Sequence, residues 1–114
     1  VDNRVLCIHG GLSPDIATID QIRTLNRLQE VPPTGCYSDL LWSDPDNVDG
    51  FQQSPRGAGY LFGEDPVNGY GYDHDWSVFN EVNGLELISR AHQMVQQGFE
   101  YMFSKKNLIT VRSV

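Results

Sequence analysis

Val5-Leu6-Cys7-Ile8-His9-Gly10-Gly11 is a short apolar run that ends on a histidine followed at once by two glycines. A bounded apolar run of this length reads as a buried strand. A histidine at its end is held where water competes poorly, the setting in which an imidazole ligates metal ions. The glycines allow a sharp backbone turn after it, with positive φ if the turn requires, so that other groups can approach the same ion. Taken alone, such a histidine is more often a hydrogen-bonded structural residue than a ligand. A second copy shifts the balance: Leu85-Glu86-Leu87-Ile88 reads as another strand, and Ser89-Arg90-Ala91-His92-Gln93 places a second histidine just past its end. Two histidines at corresponding strand ends are expected to converge on one site.

Composition bounds the function classes. The 114 residues, 39% hydrophobic and 20% charged, fit a single globular unit with a modest core. No apolar stretch is long enough to span a bilayer, and Val1-Asp2-Asn3-Arg4 has neither the basic nor the apolar region of a signal peptide. The chain therefore reads as soluble and intracellular, with no membrane partner. Cys7 on the first strand and Cys36 in a Pro/Gly-rich loop read as reduced thiols rather than a disulfide. A net charge of -7 argues against non-specific nucleic-acid binding. An acidic domain that handles an anionic substrate has to concentrate positive charge locally, from metal ions or a placed arginine.

Beyond the first histidine the pattern alternates short elements with long loops. Leu12-Ser13-Pro14-Asp15 is a turn, and Thr18 with Gln21 forms a capping box that opens a helix over 19–26. That helix is short, because the three-residue spacing of Ile16, Ile19, Ile22, Leu25 and Leu28 drifts around an α-helix instead of forming one stripe. Asp39-Leu40-Leu41-Trp42 is a buried run that breaks at Ser43-Asp44-Pro45-Asp46, where Pro45 keeps Asp44 out of the helical region. Residues 47–72 read as loop with one turn of helix, Met94, Val95 and Phe99 as a short helix ended near Gly98, and 108–111 as a closing strand.

Three further groups bear on chemistry. Arg56, in Ser54-Pro55-Arg56-Gly57-Ala58-Gly59-Tyr60, projects from a backbone able to pack closely. It can clamp a phosphate through two parallel hydrogen bonds or form a surface ion pair with a nearby aspartate. Asp44 can orient a ligand or an arginine, or simply cap the turn at Pro45. Tyr72-Asp73-His74-Asp75 resembles a metal cluster in composition, but an exposed polar loop is the better reading.

Four motifs, in order, resemble the C-terminal half of the phosphoprotein phosphatase catalytic domain. They are Leu6-Cys7-Ile8-His9-Gly10-Gly11-Leu12-Ser13-Pro14, Leu41-Trp42-Ser43-Asp44-Pro45, Ser54-Pro55-Arg56-Gly57-Ala58-Gly59-Tyr60-Leu61-Phe62-Gly63 and Arg90-Ala91-His92-Gln93. The arginine motif is worded like the type 2A branch, and Asp39 to Val48 is most similar to the type 6 members. The resemblance implies an α/β (α+β) fold: a partial metallophosphoesterase fold, a mixed β-sandwich flanked by helices, filled by residues 1–114 as one domain with the N-terminal half missing. It implies a serine/threonine protein phosphatase that cleaves phosphoserine and phosphothreonine with a water activated at a two-metal centre. His9 and His92 would be metal ligands, Arg56 the phosphate clamp and Asp44 a carboxylate behind it. The implied cofactors are two divalent ions, Mn, Fe or Zn; the implied partners are phosphoprotein substrates and regulatory or scaffold subunits, in the cytoplasm or nucleus.

The departures shape the expectation. The Gly-Asp-x-His-Gly, Gly-Asp-x-Val-Asp-Arg-Gly and Gly-Asn-His-Glu motifs, which carry the remaining ligands and the general acid in the family, are not in this sequence, nor is its Ala-Pro-Asn-Tyr segment. Arg112 stands where the family has a tryptophan, a change that a buried strand resists. Between Gly63 and His92 the chain is roughly nine residues longer than close relatives, including Gly69 to Trp76, an insertion that a surface loop absorbs at small entropic cost. The expected product is an enzyme fragment inactive alone. The alternative is a non-catalytic truncated paralogue that serves as an interaction module for phosphatase regulatory subunits.

Overall fold

The computed structural model describes residues 1–68 and 79–112. In chain order the elements are β1 (Val5–Cys7), α1 (Ile19–Arg23), α2 (Cys36–Trp42), β2 (Asp44–Pro45), β3 (Phe51–Gln53), β4 (Tyr60–Phe62), α3 (Glu64–Asn68), α4 (Phe79–Val82), β5 (Leu87–Arg90), β6 (Phe99–Tyr101) and β7 (Leu108–Val111). They build two mixed sheets, one ordered β1-β5-β7-β6 and one ordered β2-β4-β3. In the first, β1, β5 and β7 run parallel, with Leu6 opposite Ile88 and Ile88 opposite Leu108, while β6 pairs antiparallel at the edge. In the second, β4 is parallel to β2 and antiparallel to β3. One apolar core joins them. Leu12, Ile16, Leu40, Phe62, Val67, Phe79, Ile88 and Leu108 are its buried members, drawn from both sheets and from α2, α3 and α4.

The Thr18–Gln21 capping box is present: the Gln21 amide donates to Thr18 Oγ1, and the Thr18 amide donates to Gln21 Oε1 at 2.9 Å. The helix it opens ends at Arg23 rather than at 26. The Leu25 amide donates to Ile22 O, a three-residue bond that tightens the last turn. With that turn tightened, Ile19, Ile22 and Leu25 all reach the core, and Leu28, at 97% exposure, falls off the stripe. The run at 39–42, expected to be buried, is the second half of α2: Asp39 and Leu40 are buried but Trp42 is exposed, and the helix stops where Ser43 turns extended ahead of Asp44-Pro45.

Three expectations need correction. The second strand runs from Leu87 to Arg90, two residues later than 85–88. Leu85 belongs to the turn after α4, its amide bonded to Asn80 O, and the inward positions of β5 are Ile88 and Arg90. A buried arginine continues the strand where an apolar pattern stops. Residues 94–99 are not a helix: Gly98 has φ 91°, Met94 is 81% exposed while Val95 is buried, and Phe99 starts β6. Residues 47–68 hold two strands and a short helix rather than mostly loop. Arg112 is exposed just past β7, so the charge at that position meets no desolvation cost. The Tyr72-Asp73-His74-Asp75 segment and the Gly69 to Trp76 insertion lie outside the described residues. Cys7 and Cys36 are free thiols. Among the described residues no helix is long and apolar enough to cross a membrane.

Candidate metal and phosphate site

The parallel ladder of β1 and β5 continues past both strands and brings the histidines together. The Ile8 amide donates to Ser89 O and the Ala91 amide to His9 O, each at 3.0 Å. His9 Nε2 and His92 Nδ1 are then 3.0 Å apart, with ring centroids separated by 4.9 Å. The chain bends at His9 and Gly10, as expected, without positive φ at either glycine. They permit close approach: a Cβ on Gly10 would stand 2.5 Å from the Leu41 carbonyl carbon, and one on Gly11 would collide with the Phe62 ring. This lets the strand end lie on the C-terminal half of α2, where the amides of Gly10 and Gly11 both donate to Leu40 O.

His92 itself takes the left-handed conformation, φ 70°. A side chain that is not glycine holds that conformation at a cost of about 1 kcal/mol or more, which the surrounding structure must offset. Trp42 packs edge-on against its ring at 5.5 Å. Burial, and then the nearby Arg56 charge, holds the His92 imidazole below its ordinary pKa. It is therefore neutral at pH 7, the form that ligates metals. Its Nε2 is buried without a hydrogen-bond partner among the described residues.

The donor set suits a borderline cation. Two imidazole nitrogens 3.0 Å apart match two ligands each about 2.1 Å from one ion at roughly a right angle. Among the described residues no group of three or more His, Cys, Asp or Glu side chains is arranged to hold an ion. These residues thus offer a pair of nitrogens and no carboxylate set.

Arg56 stands beside the pair. Pro55 leads a turn closed by the Gly57 amide on Ser54 O, the Arg56 amide donates to Ser54 Oγ, and Gly57 and Gly59 take φ 83° and 70°. A Cβ on Gly59 would come within 2.8 Å of the Ser43 amide nitrogen, so only glycine lets this turn rest on the end of α2. Arg56 Nε donates to Asp44 Oδ2 at 2.5 Å, and Nη2 reaches the His92 carbonyl at 3.5 Å. Asp44 is buried in β2 and accepts on its other oxygen from Arg90 Nη2 at 2.7 Å. Arg56 is therefore not paired with an exposed aspartate, and Asp44 is not a turn cap. The side chain of Arg56 stays 35% exposed.

A second buried carboxylate lies in α2. Asp39 accepts from Ser13 Oγ at 2.7 Å. Burial raises its pKa, the Ser13 hydroxyl opposes that, and the Asp15 charge adds to it. The native state thus holds this proton more tightly than the unfolded chain. Its contribution to stability is fullest below the unfolded value of about 3.9 and is lost as pH rises through the raised folded value. Urea titrations across pH should show wild type losing stability relative to Asp39→Asn as pH climbs from about 4 towards neutral. A constant difference between the two would place the titration elsewhere.

The fold thus gathers His9, His92, Arg56 and Asp44, the four residues singled out in the sequence, into one cluster. Sequence reasoning passed over Arg90 and Asp39. The signal for Arg90 was an arginine in register with Ile88 on a strand, two residues before a histidine. Two mixed sheets thus set a pair of histidines at the ends of β1 and β5 beside an arginine that projects from the turn between β3 and β4. The calcineurin-like phosphoesterase profile matches residues 1–96, and the chain belongs to that family. It is 56% identical over 113 residues to serine/threonine-protein phosphatase PP1-1 of Saccharomyces cerevisiae, covering 99% of this chain and 33% of that protein. It is 50% identical to serine/threonine-protein phosphatase ppe1 of Schizosaccharomyces pombe, over 99% of this chain and 34% of the relative. The fold superposes, with a TM-score of 0.81 and 32% identity, on a protein serine/threonine phosphatase from Saccharomyces cerevisiae described as similar to human phosphatase PP5, covering 98% of this chain and 32% of that one. The chain spans about a third of the length of these relatives. The resemblance to phosphoprotein phosphatases is borne out.

Proposed function

We propose that this chain forms part of a serine/threonine protein phosphatase, with His9 and His92 as ligands of a divalent ion, Arg56 as the phosphate clamp and Asp44 as the carboxylate that aims it. The observation that carries this reading is the 3.0 Å approach of the two imidazole nitrogens, with Arg56 reaching the carbonyl of the same His92. When bound, Mn, Fe or Zn ions at a two-metal centre supply an activated water and neutralise developing negative charge. The residues of this chain do the positioning. Asp44 holds the Arg56 Nε so that the free edge of the guanidinium faces outward, where it meets two phosphoryl oxygens in one plane. The neutral imidazole of His92 offers a lone pair rather than a repelling proton. Arg56 and Arg90 together outweigh Asp44 by one charge, which attracts an anion to an otherwise acidic protein. Phosphoproteins are the substrates, and regulatory subunits are the partners of the whole enzyme, acting in the cytoplasm or nucleus.

Two nitrogens leave an ion short of ligands, so the 114-residue chain by itself should bind Mn²⁺ weakly and hydrolyse a phosphopeptide at background rate. Purified chain is assayed with Mn²⁺, and Mn²⁺ broadening of the imidazole signals is followed in wild type and His92→Ala. Broadening of His9 and His92 that weakens in the variant supports the reading. Robust metal-dependent turnover that disappears in His92→Ala would show that two ligands suffice and would overturn the fragment reading. No broadening at either histidine would remove both as ligands.

A further inference from the structure

Arg90 is the largest fully buried side chain among the described residues. Its five N–H donors meet five acceptors: Nε donates to Gly10 O at 2.6 Å, Nη1 to Gln93 Oε1 at 2.7 Å and Thr110 Oγ1 at 3.1 Å, and Nη2 to Asp44 Oδ1 at 2.7 Å and Ser43 O at 3.2 Å. That is the whole donor inventory of a guanidinium. Stability does not account for it. A buried ion pair exchanged for apolar side chains of similar volume is often neutral or stabilising, and Ile88 serves the preceding inward position of β5 with no polar atom.

The identity of the acceptors does account for it. Gly10 follows His9, Gln93 follows His92, and Asp44 is the partner of Arg56. The bond to Gln93 closes a loop around Ala91 and His92, the segment that holds the left-handed φ. We propose that Arg90 is a positioning residue, which sets the His9–His92 pair and the Arg56 fork from one buried guanidinium; this rests on the phosphatase reading above. Lysine cannot replace it, since three donors on a flexible stem cannot span five acceptors arranged in a plane.

The test uses the 114-residue chain, with Zn²⁺ affinity from calorimetry and the imidazole ¹⁵N signals of His9 and His92 as readouts. Arg90→Lys should weaken Zn²⁺ binding by about 10-fold or more, the usual cost of losing an outer support of metal ligands, and should shift both imidazole signals. Thr110→Val, which removes an acceptor on β7 and leaves Gly10, Asp44 and Gln93 in place, should lower Tm and leave affinity and signals unchanged. A folded Arg90→Lys chain with wild-type affinity and signals overturns the proposal. If Arg90→Lys does not fold, Gln93→Leu decides: several-fold weaker Zn²⁺ binding at near wild-type Tm supports it, and unchanged binding overturns it. Failure of the phosphatase reading looks different. Wild type would bind no Zn²⁺ that His9→Ala abolishes, and the imidazole signals alone would then decide, a shift in Arg90→Lys supporting the positioning role and none overturning it.

Discussion

In an enzyme that carries the complete family domain, Arg56→Ala is expected to lower kcat/KM by roughly 10- to 1000-fold. A charge-assisted contact to two phosphoryl oxygens strengthens as charge builds in the transition state. Arg56→Lys should recover little, because a point charge does not reproduce the planar fork. Stability should move by about 1 kcal/mol or less, since Arg56 is partly exposed and Asp44 keeps Arg90 as a partner. Steady-state kinetics on a phosphopeptide and a thermal melt check both halves. Near-normal kinetics with a large fall in Tm would mean that Arg56 organises the turn over 54–59 and that phosphate is held elsewhere.

Asp44→Ala should have the largest effect on stability, about 3–5 kcal/mol, because it leaves the buried Arg90 charge uncompensated. Asp44→Asn keeps one acceptor oxygen without the charge, and should fall between the variant and wild type. Urea denaturation of the three proteins measures this. A loss below about 1 kcal/mol for Asp44→Ala would show that water reaches Arg90 once the carboxylate is gone.

The strands at β1 and β7, the capping box of α1 and the meeting of His9 with His92 were legible because each rests on local pattern: an apolar run, a Thr/Gln spacing, a histidine beyond a strand; the burial expected of β1 was not met, because it is an edge strand with Cys7 and His9 exposed. What stayed hidden rests on long-range pairing. Arg90 reads as a strand end until Gly10, Asp44 and Thr110, distant in sequence, are seen to satisfy it. The same holds for the second bond of Asp44: its place behind Arg56 was expected, its pairing with Arg90 was not. Strands β3, β4 and β6 are three residues each, too few side chains to show a period of two. At Gly10 and Gly11 the bend is legible in the sequence, and the contact with α2 and Phe62 that excludes a side chain there is not.

The parallel pairing of β1 with β5 also sets a schedule. His9 and His92 are 83 positions apart, and no hairpin can unite them early. At 5–20 residues per second, the ribosome delivers the second imidazole roughly 4 to 17 seconds after the first. Throughout that interval His9 stands without His92. The pairing of His9 with His92 therefore reports that β5 has docked on β1: a chain clipped between the two strands can keep many of its other contacts and still lack the pair.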